Sequence, residues 1–223
     1  MWRMEYHPFV LRVRGARVLV VGGGGVGGRR AVLLASKGAK VRVVSLEFSQ
    51  ELLRAAERLG IELIEGGFGE ARRHIPWASI VVIATPHTGE AEEIAREALK
   101  AGKLVNVAAD HRLGNLLFPF AGESKGLLVG VTSLGVSGLA ARRALEKIIE
   151  LLDGDEEVEC LLETHGRLKR LLFEVVEDSR LRMEVHTSLW NDAEYRRLCR
   201  EGRVEEAMSR ALEVARSVSG ARL

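Results

Sequence analysis

Cysteine is scarce, extended apolar runs are missing, and no tract of like charge stands out. Only Cys160 and Cys199 occur among 223 residues. They lack metal-ligand spacing, so no metal centre is expected, and they read as two buried or idle thiols in a reducing compartment. No stretch approaches the roughly 20 apolar residues of a membrane-spanning helix, so no membrane span is expected. Residues 1–8 lack the apolar core of a signal segment, so a cytoplasmic location is expected. Lys and Arg number 33 against 31 Asp and Glu, a net charge of +2, and they are dispersed. Neither a basic arm nor a nucleic-acid partner is implied.

What is present is the make-up of an ordinary folded protein, 47% hydrophobic and 29% charged. From Arg17 to about Asp110, short β-branched runs alternate with helical patterns. Strands are expected at 17–21, 41–44, 61–65, 80–84 and 104–107. Helices are expected at 26–37, ending at Gly38, at 50–59, capped by Ser49, and at 90–101. Such alternation predicts an α/β fold with a Rossmann-type parallel sheet. After Asp110 the rhythm changes. Runs at 116–120 and 127–132 suggest a hairpin, a long amphipathic helix spans 137–152, and charged helices with a break near Asp178 fill the rest. The expected division is 1–112 for the sheet domain, 113–152 for a small central region, and 153–223 for a helical region.

Between the first strand and first helix stands Gly22-Gly23-Gly24-Gly25-Val26-Gly27. Gly22, Gly24 and Gly27 fit G-x-G-x-x-G: a tight turn, close backbone approach to a pyrophosphate, and close helix–strand packing. Gly25 and Val26 open the helix whose N-terminal N–H groups would meet the phosphates. The second strand ends in Ser45-Leu46-Glu47. Ser45 occupies the usual place of the ribose-binding acid, and Glu47 either reaches the ribose or begins the next helix. With no Arg following at once, NAD is favoured over NADP. Thr85, at the end of the fourth strand, either faces the nucleotide or starts a turn before Pro86. Asn106 bonds either the cofactor or sheet-end backbone.

Two dehydrogenase classes are excluded. A short-chain reductase needs Tyr-x-x-x-Lys, but the tyrosines are Tyr6 and Tyr195, and Cys199 lies four after the latter. A zinc alcohol dehydrogenase needs a Cys/His cluster, which is missing. His7, His74, His87, His165 and His186 have no ligand-like spacing and receive no role.

Val20-Val21-Gly22-Gly23-Gly24-Gly25-Val26, Ile83-Ala84-Thr85, Val105-Asn106-Val107, Phe118-Pro119 and Ser133-Leu134-Gly135-Val136-Ser137 follow one another at suitable distances. This ordered set resembles the precorrin-2 dehydrogenase family, found alone or as the N-terminal module of siroheme synthases. The resemblance covers roughly residues 5–152. It implies NAD-dependent oxidation of precorrin-2 to sirohydrochlorin, a Rossmann domain, a central dimerisation region and a homodimer. The substrate carries many carboxylates, for which Arg142 and Arg143 are candidate counter-charges.

The family's catalytic aspartate follows Asn-Val after one residue, where this chain has Ala109. Asp110 or His111 could take its role. Alternatively, the base serves mainly in metal insertion, or catalysis is impaired. Because stripping pyrrole N–H protons needs a placed carboxylate or imidazole more than dehydrogenation does, iron chelation is expected to be reduced or absent. Ser137 lies near the tetrapyrrole in the family, yet at a helix start it is equally a cap. The competing readings are an NAD(H)-sensing regulatory module and a bifunctional dehydrogenase and ferrochelatase.

Overall fold

Strands made almost wholly of Val, Ile and Leu are stable only when covered on both faces. The computed structural model describes residues 5–221, and in it five such strands form one parallel sheet. They are β1 (Arg17–Gly23), β2 (Lys40–Phe48), β3 (Glu62–Glu65), β4 (Ile80–Ile83) and β5 (Leu104–Val107), in the order β3-β2-β1-β4-β5. The helices are α1 (Gly25–Ser36), α2 (Gln50–Leu59), α3 (Phe68–His74) and α4 (Gly89–Lys100). Alternation along each strand sends Val18, Val20, Val43 and Val82 towards α1 and α2, where Leu34 and Leu52 meet them. It sends Leu19, Val21, Val81 and Ile83 towards α3 and α4, against Ala71, Ile94 and Ala98. Each fully buried aliphatic side chain contributes roughly 1.5–3 kcal/mol relative to exposure. Strand order reverses between β1 and β4, and there the C-terminal strand ends open a crevice.

Three expectations need correction here. β2 runs on to Phe48 rather than stopping near Val44, because Gly23 pairs with Phe48 past an irregularity in the β1–β2 register. Glu47 therefore belongs to a strand and does not begin a helix. The short helix α3 stands where none was expected. Residues 116–119 do not form a strand. Leu116 and Phe118 instead pack into the sheet core, and pairing begins only at Phe120.

The contacts divide the chain into two compact units, residues 5–118 with Leu134–Val136, and Pro119–Ser133 with the chain from Ser137 onward. The first therefore extends past residue 112, and the central region groups with the helices that follow rather than standing apart. The second unit opens with an antiparallel hairpin, β5's successors β6 (Phe120–Ser124) and β7 (Leu127–Val131). Its two-residue turn, Lys125-Gly126, has φ of 48° and 83°, the left-handed pair that suits hairpin twist. Helices follow as α5 (Gly138–Asp153), α6 (Glu156–Val175), α7 (Ser179–Asn191), α8 (Ala193–Arg200) and α9 (Val204–Ser219). The side chains of Ser137, Asp155, Asp178 and Asp192 cap the first four. Ser124 donates to Asp153 at 2.6 Å, and Lys125 pairs with Glu159, fastening the hairpin turn to α5 and α6.

The core of this unit includes Leu168, Leu172, Val185, Leu189 and Tyr195. Cys160 and Cys199 lie within it as a disulfide, with Cα atoms 5.2 Å apart. This overturns the reading of two idle thiols: α6 and α8 pack closely, and the two cysteines meet across them. Among the described residues no helix is long and apolar enough to cross a membrane. Residues 1–4, part of the segment read for a signal core, lie outside the described residues.

Candidate functional site

The crevice at the C-terminal ends of β1 and β4 is shaped by glycine. Gly22 adopts φ +103°, and a Cβ there would lie 2.7 Å from the carbonyl oxygen of Ala84. A Cβ on Gly27 would sit 1.9 Å from the oxygen of Gly22, so α1 can start this close to β1 only without a side chain. Gly24 differs from both, since a Cβ there meets nothing within 4 Å. Its lack of a side chain relieves no internal clash, and it leaves the backbone open to a ligand.

Gly24 is the N-cap of α1, makes no side-chain cap hydrogen bond, and is followed by no acid in the first turn. The N–H groups of Gly25, Val26 and Gly27 thus point outward without intrahelical partners, at the positive end of the helix dipole. Val26 is exposed at this end. At the end of β4, Thr85 Oγ1 is buried with no hydrogen-bond partner, while its methyl carbon approaches Gly22. A cradle with unsatisfied N–H donors, open space at Gly24 and an unpartnered hydroxyl fits a dinucleotide pyrophosphate and its neighbouring groups.

The end of β2 borders this cradle. A Cβ on Gly23 would lie 2.6 Å from the Glu47 oxygen and 3.1 Å from Ser45 Cβ, so Gly23, beyond the motif proper, lets the two strands close up. Ser45 Oγ accepts from the Glu47 N–H at 3.4 Å, and the Glu47 carboxylate is exposed. Glu47 therefore stands exposed at the strand end that borders the cradle, with Ser45 shaping its backbone.

Arg29 was not singled out from the sequence. Its guanidinium folds back over the helix start, 3.3 Å from where a Gly25 Cβ would stand. The signal was its position, one turn into the helix after the glycines. Arg29→Ala is expected to weaken dinucleotide binding about tenfold, roughly 1.4 kcal/mol, with little change in melting temperature. Titration by intrinsic fluorescence checks this, and unchanged affinity removes Arg29 from the site.

Asn106 takes the structural course of its two readings. It is buried on β5, its Oδ1 accepts from Arg30 at 2.6 Å, and its Nδ2 donates to the Leu116 carbonyl at 2.8 Å. Arg30 in turn lies over the Phe118 ring. The amide thus joins α1 to the strap at 116–118.

After β5, Ala108 and Ala109 are exposed, and Asp110 caps a single 3-10 turn, His111–Leu113. Both carboxylate oxygens of Asp110 accept from Arg112, at 2.6 to 3.2 Å, and the Arg112 N–H donates to it as well. These bonds hold the Asp110 carboxyl well below the usual carboxylate range. His111 packs its ring on Gly135, where a Cβ would lie 2.5 Å from Nδ1. The Leu134–Val136 turn therefore positions the imidazole. In the second unit, Ser137 Oγ accepts from the Ala140 N–H at 3.2 Å, and its own N–H donates to Ser133 Oγ at 2.8 Å. Arg142 and Arg143 both donate to Glu146.

The family described as "Putative NAD(P)-binding" matches residues 9–120. The chain belongs to this NAD(P)-binding family. Residues from Gly22 to Asn106 all fall inside the match. Siroheme synthases are similar to the chain as well. That of Psychromonas ingrahamii is 28% identical over 206 residues, covering 92% of the chain and 43% of the synthase. That of Nitrosococcus oceani is 33% identical over 139 residues, 62% of the chain and 29% of the synthase. The chain thus spans less than half the length of these relatives. A solved structure described as SirC, precorrin-2 dehydrogenase, has the same fold, with a TM-score of 0.67, 22% identity, and coverage of 93% of this chain and 100% of that one. The family resemblance read from the ordered motifs holds, and the NAD(P)-binding Rossmann domain is its established part.

Proposed function

We propose that the protein oxidises precorrin-2 to sirohydrochlorin with NAD. The observation that carries this reading is a complete dinucleotide cradle in a chain whose relatives are siroheme synthases. Gly22, Gly24, Gly25, Val26 and Gly27 hold the pyrophosphate through backbone N–H groups, with Arg29 as counter-charge. Thr85 donates its hydroxyl to the bound nucleotide, and Glu47 accepts from the adenosine ribose. A carboxylate at that place also repels a 2′-phosphate, which favours NAD over NADP.

Bound NAD supplies a hydride acceptor. The remaining need is a place for one proton. Asp110 is a poor acceptor because Arg112 occupies both its oxygens, so its role is to fix the turn that carries His111. His111 takes the proton, its ring set by Gly135. Ser137 caps α5 and keeps its hydroxyl hydrogen for a substrate carboxylate. Metal insertion into the product lacks a carboxylate at Ala109, so ferrous iron enters slowly or not at all. Leu128, Leu139 and Leu151, 58%, 84% and 71% exposed on the hairpin and α5, support a homodimer. A cytoplasmic location without membrane attachment suits a biosynthetic enzyme of this kind, and there the Cys160–Cys199 disulfide is shielded from reductant by its complete burial.

Turnover by His111→Gln tests the assignment, with precorrin-2 and NAD followed anaerobically across pH 5–9. A fall of about 100-fold in kcat is expected. Asp110→Asn should lower kcat far less, by loosening the turn. Full activity in His111→Gln would transfer the role elsewhere.

A further inference from the structure

The helical unit contains a cleft that the dinucleotide chemistry does not use. Its volume is about 420 Å³, within the range of small-molecule sites. One wall is a single face of α6, where Val158, Leu161, Leu162, His165 and Lys169 recur at helical spacing. Leu127 at the start of β7 and His186 on α7 complete the lining. Three basic side chains thus border an otherwise apolar cleft, and among the described residues no carboxylate does.

Two features of this face have no packing explanation. Gly166 lies in the middle of a 20-residue helix, where glycine is unfavourable, yet a Cβ there would meet only Arg170 of the same helix, at 3.8 Å. The bare backbone relieves no crowding, and it widens the cleft. His165 Nε2 is buried with no hydrogen-bond partner. Its ring stacks on His186 at 5.6 Å and tilts against Tyr195, whose hydroxyl is already bonded to Thr164 at 2.6 Å. Burial keeps both imidazoles below their ordinary range, and Lys169 adds to this at His186. The neutral form of both rings is thereby favoured, so among the lining residues Lys169 carries the positive charge, with the Arg170 guanidinium nearby beside Gly166.

We infer that this cleft is a second binding site, for a small monocarboxylate on an apolar body. The chain of the ligand lies along Leu127, Val158, Leu161 and Leu162 over Gly166, and its carboxylate meets Lys169 and accepts from an imidazole N–H. One cation and two neutral donors match a single negative charge better than a polyanion.

Octanoate and 1-octanol are suitable probes, titrated calorimetrically into the protein with and without saturating NAD. Octanoate is expected to bind saturably and raise the melting temperature, whereas octanol at equal concentration does not. Lys169→Gln, at an exposed position, should weaken octanoate at least tenfold. Gly166→Leu should abolish binding by filling the floor, with the melting temperature unchanged or higher, and NAD affinity should be the same in both variants. Absence of saturable octanoate binding at millimolar concentration, equal binding of octanol, or full affinity in Lys169→Gln each overturns the inference. None of these outcomes bears on the dehydrogenase reading, since dinucleotide binding is measured separately.

Discussion

Gly24→Asp should abolish dinucleotide binding while leaving the protein as stable as before, or slightly more so. The two effects separate because of where Gly24 stands. Its φ is −73°, ordinary for any residue, and an added Cβ finds nothing within 4 Å. It is also the N-cap of α1, where an aspartate can accept from the free N–H groups and face the positive end of the dipole. The same carboxylate would occupy the approach of the pyrophosphate and repel it, so affinity should fall at least about 100-fold, roughly 2.7 kcal/mol. Gly27→Ala makes the contrast, because its Cβ would lie 1.9 Å from the Gly22 oxygen and must distort the loop itself. Binding isotherms and thermal melts of both variants check this. Unchanged affinity in Gly24→Asp would place the cofactor elsewhere.

Replacing both Cys160 and Cys199 with Ala should destabilise the helical unit by about 4 kcal/mol, the loop-closure effect expected for a separation of this length. The two residues lie 39 apart in sequence, and both are fully buried between α6 and α8. For a unit of about 100 residues, such a loss lowers the melting temperature by on the order of 20 °C. Reduction of the unfolded chain followed by refolding in reductant should give the same shift. Thiol titration of the denatured, unreduced protein should find no free thiol. Two free thiols together with an unchanged melt would contradict the staple.

Much of the Rossmann domain was legible because its signals are local. The runs at Arg17, Ile80 and Leu104 are apolar and β-branched, and Ser49 caps its helix as its position suggests. The end of β2 was not legible. Ser45-Leu46-Glu47 has the polarity of a loop, and pairing of Ser45 with Glu65 of β3 and of Phe48 with Gly23 makes it strand. The short α3 failed for a related reason, since its one buried residue is Ala71 and its last turn is Arg72-Arg73-His74. Leu116 and Phe118 carry a strand-like pattern, but the sheet core takes them first. At the site, the glycines were readable because Gly22 and Gly27 answer a steric demand of the backbone and Gly24 leaves room for a ligand. Arg29, the Arg30–Asn106 bond and the Asp110–Arg112 pair were not, because they depend on which side chains fold back on one another. The cysteine pairing spans two helices and has no local trace at all.

The measurement that tests the account most directly is anaerobic incubation of the purified protein with precorrin-2 and NAD, recording the full absorption spectrum. The account predicts sirohydrochlorin and NADH appearing together in equal amounts, and no further spectral change at a comparable rate when ferrous iron is added. Dinucleotide binding without oxidation of the macrocycle would contradict it.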